Sequence, residues 1–310
     1  VEGGYKRIKG YQRHVRHVVP QTASSDEPVL LTTTFANKVI AARGQKIFSS
    51  ATTSLGTSSS NAIAANDSMT GSGVIIVVST TGFSSSGSLQ IDDEQFTYTG
   101  VTSTTFTGVT RATNSTTAAV HTASSDTTRT VVSESWTERD TGRSNADKYS
   151  LERFNFDGNS KIVLVDGANA PVVFNTSIAA TDISESAVAG ASIVTSFREH
   201  MFYAGMSSTP QEVVFSVAFD EDNFSSGAGA GSIRVDDTIV GLKVFRDSLF
   251  IFCENRIFKL TGSSSANFAI TPVTRDIGCI NGKTIQEFAG DLIFLGPDGL
   301  RTVAGTARIG

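Results

Sequence analysis

The segment FDGNSKIVLVDGANAPVVF, residues 156–174, contains the pattern that decides the fold. A Phe is followed by a polar turn, an apolar run at 162–165, a turn with Gly and Asn, and a second apolar run at 172–174. The pattern returns in FREHMFYAGMSSTPQEVVF (197–215), FRDSLFIFCENRIFKLTG (245–262) and FAGDLIFLGPDGLRTVAG (288–305). The leading phenylalanines are 41, 48 and 43 residues apart. A β-unit that recurs every ~40–50 residues is typical of β-propeller blades and similar radial arrays.

A single unit of this kind cannot bury both faces of its sheet, so it must stack on the next one. We therefore predict an all-β fold, a β-propeller-like repeat array over residues 130–310, with an ordinary pair of β-sandwiches as the alternative. Four units are visible in the sequence. Either the ring is small, the chain continues past Gly310, or residues 1–48 supply part of a blade. The single weak helix candidate is 182–191.

The composition agrees with an all-β fold and narrows the class of function. The chain of 310 residues is 39% hydrophobic and 18% charged, and it has 20 Phe but 1 Trp. Phe fits a half-buried pleated surface. The net charge of −5 argues against a general nucleic-acid-binding protein. The absence of a run of ~18 apolar residues predicts no membrane span.

Residues 74–129 predict a small β-module inserted into the larger domain. The stretch GSLQIDDEQFTYTG (87–100) alternates apolar and polar residues on both sides of an acidic turn, as a hairpin does, and TTFTGVTR (104–111) predicts a third strand. A few strands with this little apolar surface need a neighbour. The Ser/Thr/Gly-rich residues 49–73 predict a linker, and residues 1–48 a basic arm with strands that pack on the main β domain.

The arm at the start of the chain carries the predicted contact site. Cations dominate residues 1–20, in which Glu2 is the one acid. We predict a subunit or adaptor contact, and the alternative is a solvated edge strand. The predicted contact residues are Tyr5, Lys6, Arg7, Lys9, Tyr11, Arg13 and Arg16.

Candidate chemical groups are few. No catalytic or phosphate-binding motif occurs, and His14 and His17 lack ligand partners at metal-binding spacing. The acidic stretches 92–94 and 220–223 lack the spacing of a calcium loop. Cys253 and Cys279 predict two buried thiols. We expect no catalytic residue, no cofactor and no metal, which favours a structural or binding protein over an enzyme.

The residues 81–122, TGFSSSGSLQIDDEQFTYTGVTSTTFTGVTRATNSTTAAVHT, resemble a small β-module inserted in many tailed-bacteriophage virion proteins, often named FCCH-like. The family pattern is I-D-D-E-x-(F/I)-x-Y-T-G followed by F-T-G-(V/C)-T-R-(G/A)-x-N-(G/S)-T-(T/A)-A-A-x-H. In this chain Ala112 and Ser115 stand at positions where Gly is usual. The name FCCH-like is taken from a part of ubiquitin-activating enzyme. We use it only as a description of the fold, and the resemblance implies no chemistry on ubiquitin.

Two further stretches are similar to phage tail proteins. EGGYKRIKGYQR (2–13) is similar to their beginning, although the F-D-G that often follows is missing. Residues 275–310 are similar to the terminal blades of propeller-type tail proteins, including nozzle proteins of short-tailed phages. The final GTARIG normally leads into further sequence, and the chain begins with Val1 rather than Met, so we expect the sequence to continue beyond its ends.

The resemblance implies a structural virion protein located in the phage tail, in the nozzle or hub. It would form a symmetric ring of its own copies, contact other tail proteins (adaptor, fibre or hub), and let phage DNA pass without specific binding. A baseplate, neck or fibre-attachment protein of a long-tailed phage is the first alternative. A carbohydrate-binding propeller or lectin-like protein is the alternative from another class, and the single Trp136 and five Tyr argue against it.

Overall fold

The computed structural model describes residues 27–53, 73–113, 116–122, 133–144 and 148–307. The first strands in chain order are β1 (Val29–Phe35), β2 (Lys38–Arg43), β3 (Lys46–Thr53), β4 (Val74–Ile76), β5 (Gly87–Ile91), β6 (Glu94–Tyr98), β7 (Gly100–Val101), β8 (Thr105–Thr107), β9 (Ser133–Asp140), β10 (Ser150–Phe156), β11 (Asn159–Val165), β12 (Val172–Asn175) and β13 (Ala180–Asp182). They are followed by β14 (Ile193–Phe197), β15 (His200–Ala204), β16 (Glu212–Phe215), β17 (Gly231–Arg234), β18 (Ile239–Phe245), β19 (Ser248–Cys253), β20 (Ile257–Thr261), β21 (Ala269–Thr274), β22 (Gln286–Phe288), β23 (Asp291–Gly296), β24 (Gly299–Thr302) and the short helix α1 (Val303–Thr306). Short 3-10 helices occupy Ser186–Val188, Ser226–Ala228, Ser265–Asn267 and Gly282–Thr284.

The described strands outside the inserted module form five consecutive sheets. Sheet 1 has the order β1-β2-β3-β9, sheet 2 β10-β11-β12-β13, sheet 3 β14-β15-β16-β17, sheet 4 β18-β19-β20-β21 and sheet 5 β22-β23-β24. Sheets 2 to 5 are antiparallel meanders. The predicted all-β, propeller-like repeat array is confirmed. The weak helix candidate at 182–191 is wrong apart from the 3-10 turn Ser186–Val188.

The strands of sheet 1 place the boundaries of the N-terminal segment and the linker differently from the sequence prediction. Residues 29–53 supply three of its strands, so the repeat begins before the inserted module and resumes after it with β9. Because β3 runs to Thr53, the first residues of the predicted linker at 49–73 belong to a strand. The chain divides into two compact units, one containing 1–25, 38–40 and 48–138, and the other 26–37, 41–47 and 139–310.

The repeated Phe marks the end of the first strand of each sheet. Phe156 pairs with Asn159 across a two-residue loop, and Phe197 pairs with His200 in the same way. The central loop residues have positive φ, at 52° and 77° for Asp157 and Gly158 and at 50° and 60° for Arg198 and Glu199. These angles match the type I′ hairpin, whose twist follows that of the strands. Phe245 and Phe288 end β18 and β22 at the same register.

The second strands of sheets 2, 3 and 4 are buried on both faces, and this drives the stacking. Three clusters of buried apolar side chains lie between successive sheets. Phe156, Val163 and Met201 belong to the cluster between sheets 2 and 3. Phe202 and Ile251 belong to the next one, and Phe252, Leu292 and Phe294 to the one between sheets 4 and 5. Each fully buried side chain of this size contributes roughly 1.5–3 kcal/mol.

Arginines at the hairpin ends connect neighbouring sheets. Arg153 donates to the carbonyl oxygen of Thr34 at 2.5 Å, from sheet 2 to sheet 1. Arg246 in the hairpin loop of sheet 4 donates to the carbonyl oxygen of Gly290 at 2.9 Å in the loop of sheet 5. Arg198 in sheet 3 lies 3.7 Å from the carboxylate of Asp247 in sheet 4. These contacts connect each sheet to its neighbour along the hairpin end of the array.

The inserted module has its own core. The predicted hairpin is β5–β6, and the predicted third strand is the shorter β8, which pairs with β4 and β7. The buried side chains include Ile75, Leu89, Phe96, Tyr98 and Phe106, with the rings of Tyr98 and Phe106 4.8 Å apart.

The hairpin loops generate a prediction about backbone strain. Gly158 has φ +77°, and a Cβ added there would meet nothing within 4 Å, so Gly158→Ala should destabilise unit 2 through the backbone alone. The expected loss is about 1 kcal/mol in the free energy of unfolding, measured by urea denaturation. Gly227→Ala is the matched control, because Gly227 also has open space but no positive φ. Equal losses at both positions would contradict the strained-loop explanation.

Candidate functional site

The predicted contact residues between Tyr5 and Arg16 lie outside the described residues. Their role in a subunit or adaptor contact therefore stays a prediction. The charged clusters that the structure does describe lie in the inserted module and at the connections between sheets.

A buried carboxylate organises the inserted module. Glu94, at the start of β6, has a fully buried side chain. Arg111 donates from Nε to its Oε1 at 2.8 Å and from Nη2 to its Oε2 at 2.7 Å. The backbone N–H groups of Ala112 and Ala119 donate to the same carboxylate at 3.2 and 2.9 Å. His121 Nε2 lies 2.9 Å from Oε2.

The remaining atoms of these side chains also have partners. His121 Nδ1 lies 2.8 Å from the carboxylate of Asp92, and the imidazole ring lies edge-on to Phe96 at 5.7 Å. Arg111 Nη2 donates to the carbonyl oxygen of Ala119 at 2.6 Å. The network joins the hairpin turn to residues 111–113 and 116–121, so it holds these two stretches of the Thr-rich segment that follows β8 against the hairpin.

These contacts set the protonation of Glu94. Burial alone would raise its pKa, but the hydrogen bonds from Arg111, Ala119 and His121 outweigh burial and lower the pKa from 4.5 to about 2. The carboxylate is therefore ionised and saturated with N–H donors. This explains why the acidic stretch 92–94 does not offer Glu94 as a calcium ligand.

A second buried network holds the connection between sheets 1 and 2. The Arg143 guanidinium, which is 4% exposed, donates to Asp140 at 2.6 Å and to Asp166 at 3.0 Å. It also donates to the carbonyl oxygen of Ala170 at 2.9 Å, while its backbone N–H donates to the carbonyl oxygen of Gln45. Burial raises the pKa of Asp166, but the N–H groups of Ala168 and Asn169 and the charge of Arg143 lower it on balance. These contacts make Arg143 a structural residue.

The other candidate residues have structural surroundings. Within the described ranges, no group of three or more His, Cys, Asp or Glu side chains is arranged to hold a metal ion. In the acidic stretch 220–223, Glu221 is buried and pairs with Lys161. His200 is buried among phenylalanines and donates through Nδ1 to the carbonyl oxygen of Ser216 at 2.6 Å.

The two cysteines are buried free thiols, as predicted. Burial raises the pKa of Cys253 to about 12, so this thiol is not a nucleophile at neutral pH. Of the helices that the structure describes, none is long and apolar enough to cross a membrane.

The clefts of the repeat array are open and mixed in polarity. One of about 460 Å³ lies at the hairpin ends of sheets 2 to 4 and contains Arg153, Arg198 and Arg246. Another of about 360 Å³ contains Glu185 and Glu212 with Phe215 and Phe224. Neither cleft is lined by Trp or Tyr. The described tyrosines, Tyr98, Tyr149 and Tyr203, are all buried. These two clefts therefore lack the Trp and Tyr side chains on which sugars commonly stack, although phenylalanines line both of them.

Sequence reasoning missed the network around Glu94. Asp92, Glu94, Arg111 and His121 stand at fixed positions of the quoted family pattern, and this was the available signal. Ala119 takes part through its backbone N–H and carbonyl groups, which a sequence pattern does not reveal. The hydrogen bonds between these residues could not be deduced from the sequence, because each residue lies 17 to 29 positions away from its partner.

Comparisons with known proteins concern the fold. No protein-family model matches the chain, and no curated protein matches it. Among solved structures, the chain is similar to BBS1N in its complex with ARL6DN, with a TM-score of 0.33, 8% identity, 88% of this chain covered and 76% of that one. For a chain of the nidogen/laminin complex the values are 0.37, 8%, 86% and 89%. For Hsv2p of Kluyveromyces lactis they are 0.34, 8%, 91% and 77%. The propeller-like assignment rests on the strand order and stacking described above.

The network predicts that the module depends on a single carboxylate. Glu94→Gln keeps the shape but leaves the Arg111 charge buried without its counter-ion, which typically destabilises by 3–5 kcal/mol. We expect the hydrogen-bonded amides of residues 89–113 to lose most of their protection in hydrogen exchange, while those of sheets 2 to 4 keep theirs. Val120→Thr, at a side chain of the same module that is 62% exposed, is the control and should leave the protection unchanged. Unchanged protection in Glu94→Gln would contradict this role.

The low pKa of Glu94 predicts an acid-sensitive module. Because the folded-state pKa is depressed from 4.5 to about 2, the stabilisation is fully present above pH 4.5 and is lost as the pH falls toward 2. The depression corresponds to roughly 3 kcal/mol. Hydrogen exchange of residues 89–122 should accelerate over this pH range, after correction for intrinsic rates. In Glu94→Gln this pH-dependent step should be missing.

Proposed function

We propose that this chain is a structural tail protein of a tailed bacteriophage, in the nozzle or hub, that works as copies assembled in a symmetric ring. The observation that supports the proposal is the Glu94 network. Its members Asp92, Glu94, Arg111, Ala119 and His121 all occupy positions of the virion-module pattern, and here they are the residues that hold the module together. The resemblance therefore extends to the residues on which the module's fold depends.

The architecture suits a protein that acts through shape. Successive sheets bury their second strands against each other, which makes a stiff body. The module is an insertion between β3 and β9 of sheet 1, so it is attached at both ends to strands of that sheet. A ring of such bodies would extend the DNA conduit and anchor neighbouring tail proteins. The net charge of −5 suits a conduit through which DNA passes without specific binding. The basic residues of the arm, from Tyr5 to Arg16, remain our candidates for the contact with a neighbouring subunit or adaptor.

A baseplate, neck or fibre-attachment role in a long-tailed phage is the second candidate, because the same module and array would serve there. The carbohydrate-binding alternative is less well supported, since the clefts described above lack Trp and Tyr and Trp136 is partly buried on β9. A strong and specific signal on a glycan array would revive it.

The test is immunogold electron microscopy of a phage lysate that contains the protein, with an antibody against residues 74–129. We expect gold particles on the tail, and their position separates the nozzle from the baseplate. The control is the same antibody absorbed with the purified protein. Label on the head would indicate a capsid protein instead. Protein detected only free in the lysate, with no label on particles, would refute the structural role.

A further inference from the structure

A third cleft, of about 570 Å³, lies where the first strands of sheets 2, 3 and 4 begin. Its lining residues are 148, 150 and 151 at the start of sheet 2, 192–194 at the start of sheet 3, 239–242 at the start of sheet 4, and 280–283 in the connection to sheet 5. The cleft that contains Arg153, Arg198 and Arg246 lies at the opposite ends of the same strands. Because parts of four successive repeats form the third cleft, it exists only when the sheets are stacked.

The charge of this cleft is positive. Of the described residues that line it, Lys148 and Lys283 are the charged ones, and both are exposed. Neither lysine forms an ion pair with any residue in the part of the chain that the structure describes. The chain as a whole has a net charge of −5, so two lysines without a lining carboxylate form a local exception that attracts anions.

The same cleft is lined by apolar side chains that remain in contact with water. Leu151, Ile193 and Leu242 are partly exposed, and Ile280 is 57% exposed. Covering them would remove apolar surface from water, which favours binding. The lining therefore suits a ligand that carries both carboxylates and an apolar group.

Two glycines fix the position of Lys283 and Ile280 relative to sheet 4. A Cβ added at Gly282 would lie 2.0 Å from the carbonyl oxygen of Val240, and one added at Gly241 would lie 2.5 Å from Ile285. Only residues without a side chain allow the connection 280–283 to lie directly against β18. The wall of the cleft that carries Lys283 is therefore held in place by backbone packing.

The first strands also offer hydrogen-bond donors for a carboxylate. Each of β10, β14 and β18 is the first strand of its sheet, so one of its edges has no strand partner in the described sheets. The chain itself places a carboxylate on such an edge, because Glu152 accepts from the N–H of Ser196 at 3.1 Å and from its hydroxyl at 2.6 Å. Val194 lines the cleft two residues before Ser196 on the same strand, so its N–H points to the same edge.

We propose that this cleft is a docking site for an extended acidic segment of another protein. Carboxylates of that segment pair with Lys148 and Lys283, and an apolar side chain of the segment contacts Ile280 and its apolar neighbours. A peptide suits the cleft better than a small molecule does, because the cleft is open and is formed by four repeats, whereas small-molecule sites enclose most of their ligand. The inference does not depend on the proposed tail function.

Fluorescence anisotropy tests the proposal with the full chain and a labelled octapeptide of six Glu and two Leu, at about 50 mM NaCl, where screening is weak. We expect saturable binding that the double variant Lys148→Ala/Lys283→Ala weakens roughly tenfold, because two exposed ion pairs are lost. Lys259→Ala is the matched control, since Lys259 carries the same charge on β20 and does not line the cleft. The proposal is overturned by an absence of saturable binding up to about 1 mM protein, or by equal weakening in the control.

A second pair of measurements separates specific docking from general attraction between charges. Ile280→Ser should weaken binding about fivefold without changing its salt dependence, because it removes an apolar contact and no charge. Val120→Ser, at a 62% exposed side chain of the inserted module, is the control. Free glutarate at about 10 mM should leave the peptide bound. Unchanged binding in Ile280→Ser, or displacement by glutarate, would show that charge alone or a small dicarboxylate is sufficient and would refute a peptide-docking site.

Discussion

The main constraint on the repeat array is that the second strand of each repeat is apolar on both faces. The residues Leu249 to Cys253 in β19 alternate between two different clusters, one shared with sheet 3 and one shared with sheet 5. A single sheet with such a strand would leave one apolar face in water, at roughly 25 cal/mol for each Å² exposed. Stacking follows from this composition, and the hairpin loops and interlocking arginines then fix where each sheet lies relative to the next.

The inserted module meets the opposite problem, because it has little apolar surface and a long Ser- and Thr-rich segment. It has a small apolar core and, beside it, a buried ion pair with saturated hydrogen bonds. Such a pair adds little net stability compared with an apolar replacement, but removing one member is strongly destabilising. The main effect of Glu94 is therefore to select one conformation of the neighbouring segment, rather than to add net stability. Glu94 accepts these N–H groups only when Arg111, Ala112 and Ala119 lie against the hairpin, so these few contacts determine where the described residues on either side of 114–115 lie.

Much of the array could be predicted because its signal is periodic. The phenylalanines at 156, 197, 245 and 288 mark hairpins whose strands were anticipated within a few residues. Phe35 ends β1 at the same place before Ala36 and Asn37, which have φ of 46° and 59°. The sequence offered residues 1–48 as part of a blade only as one of three alternatives, because the second strand of this fifth unit has small residues, Ala41 and Ala42, in place of bulky ones. Its fourth strand, β9, is also separated from the others by the inserted module.

The clusters of charge could not be predicted in the same way. Three strands, β6, β7 and β8, separate Glu94 from Arg111 in the sequence. Neither hydropathy nor spacing indicates that an Arg near a Thr-rich segment will be buried. Arg143 presents the same difficulty, since its partners Asp140 and Asp166 belong to successive sheets. The periodic spacing of apolar residues predicts which side chains are buried. The pairing of buried charges depends instead on where the connecting segments lie.

The first and the last of the described sheets differ in a way that follows from these principles. Both faces of β2 in sheet 1 are buried, and Arg43 donates there to the carbonyl oxygen of Glu27 at 2.8 Å. Sheet 5 instead repeats the apolar positions of sheets 3 and 4 without a sheet to cover them. Because stacking is driven by matching apolar faces, nothing in the repeat itself ends the array, and termination requires a change of chemistry on the outer face. Phe288, Leu295 and Leu300, on the face turned away from sheet 4, show that sheet 5 does not make this change.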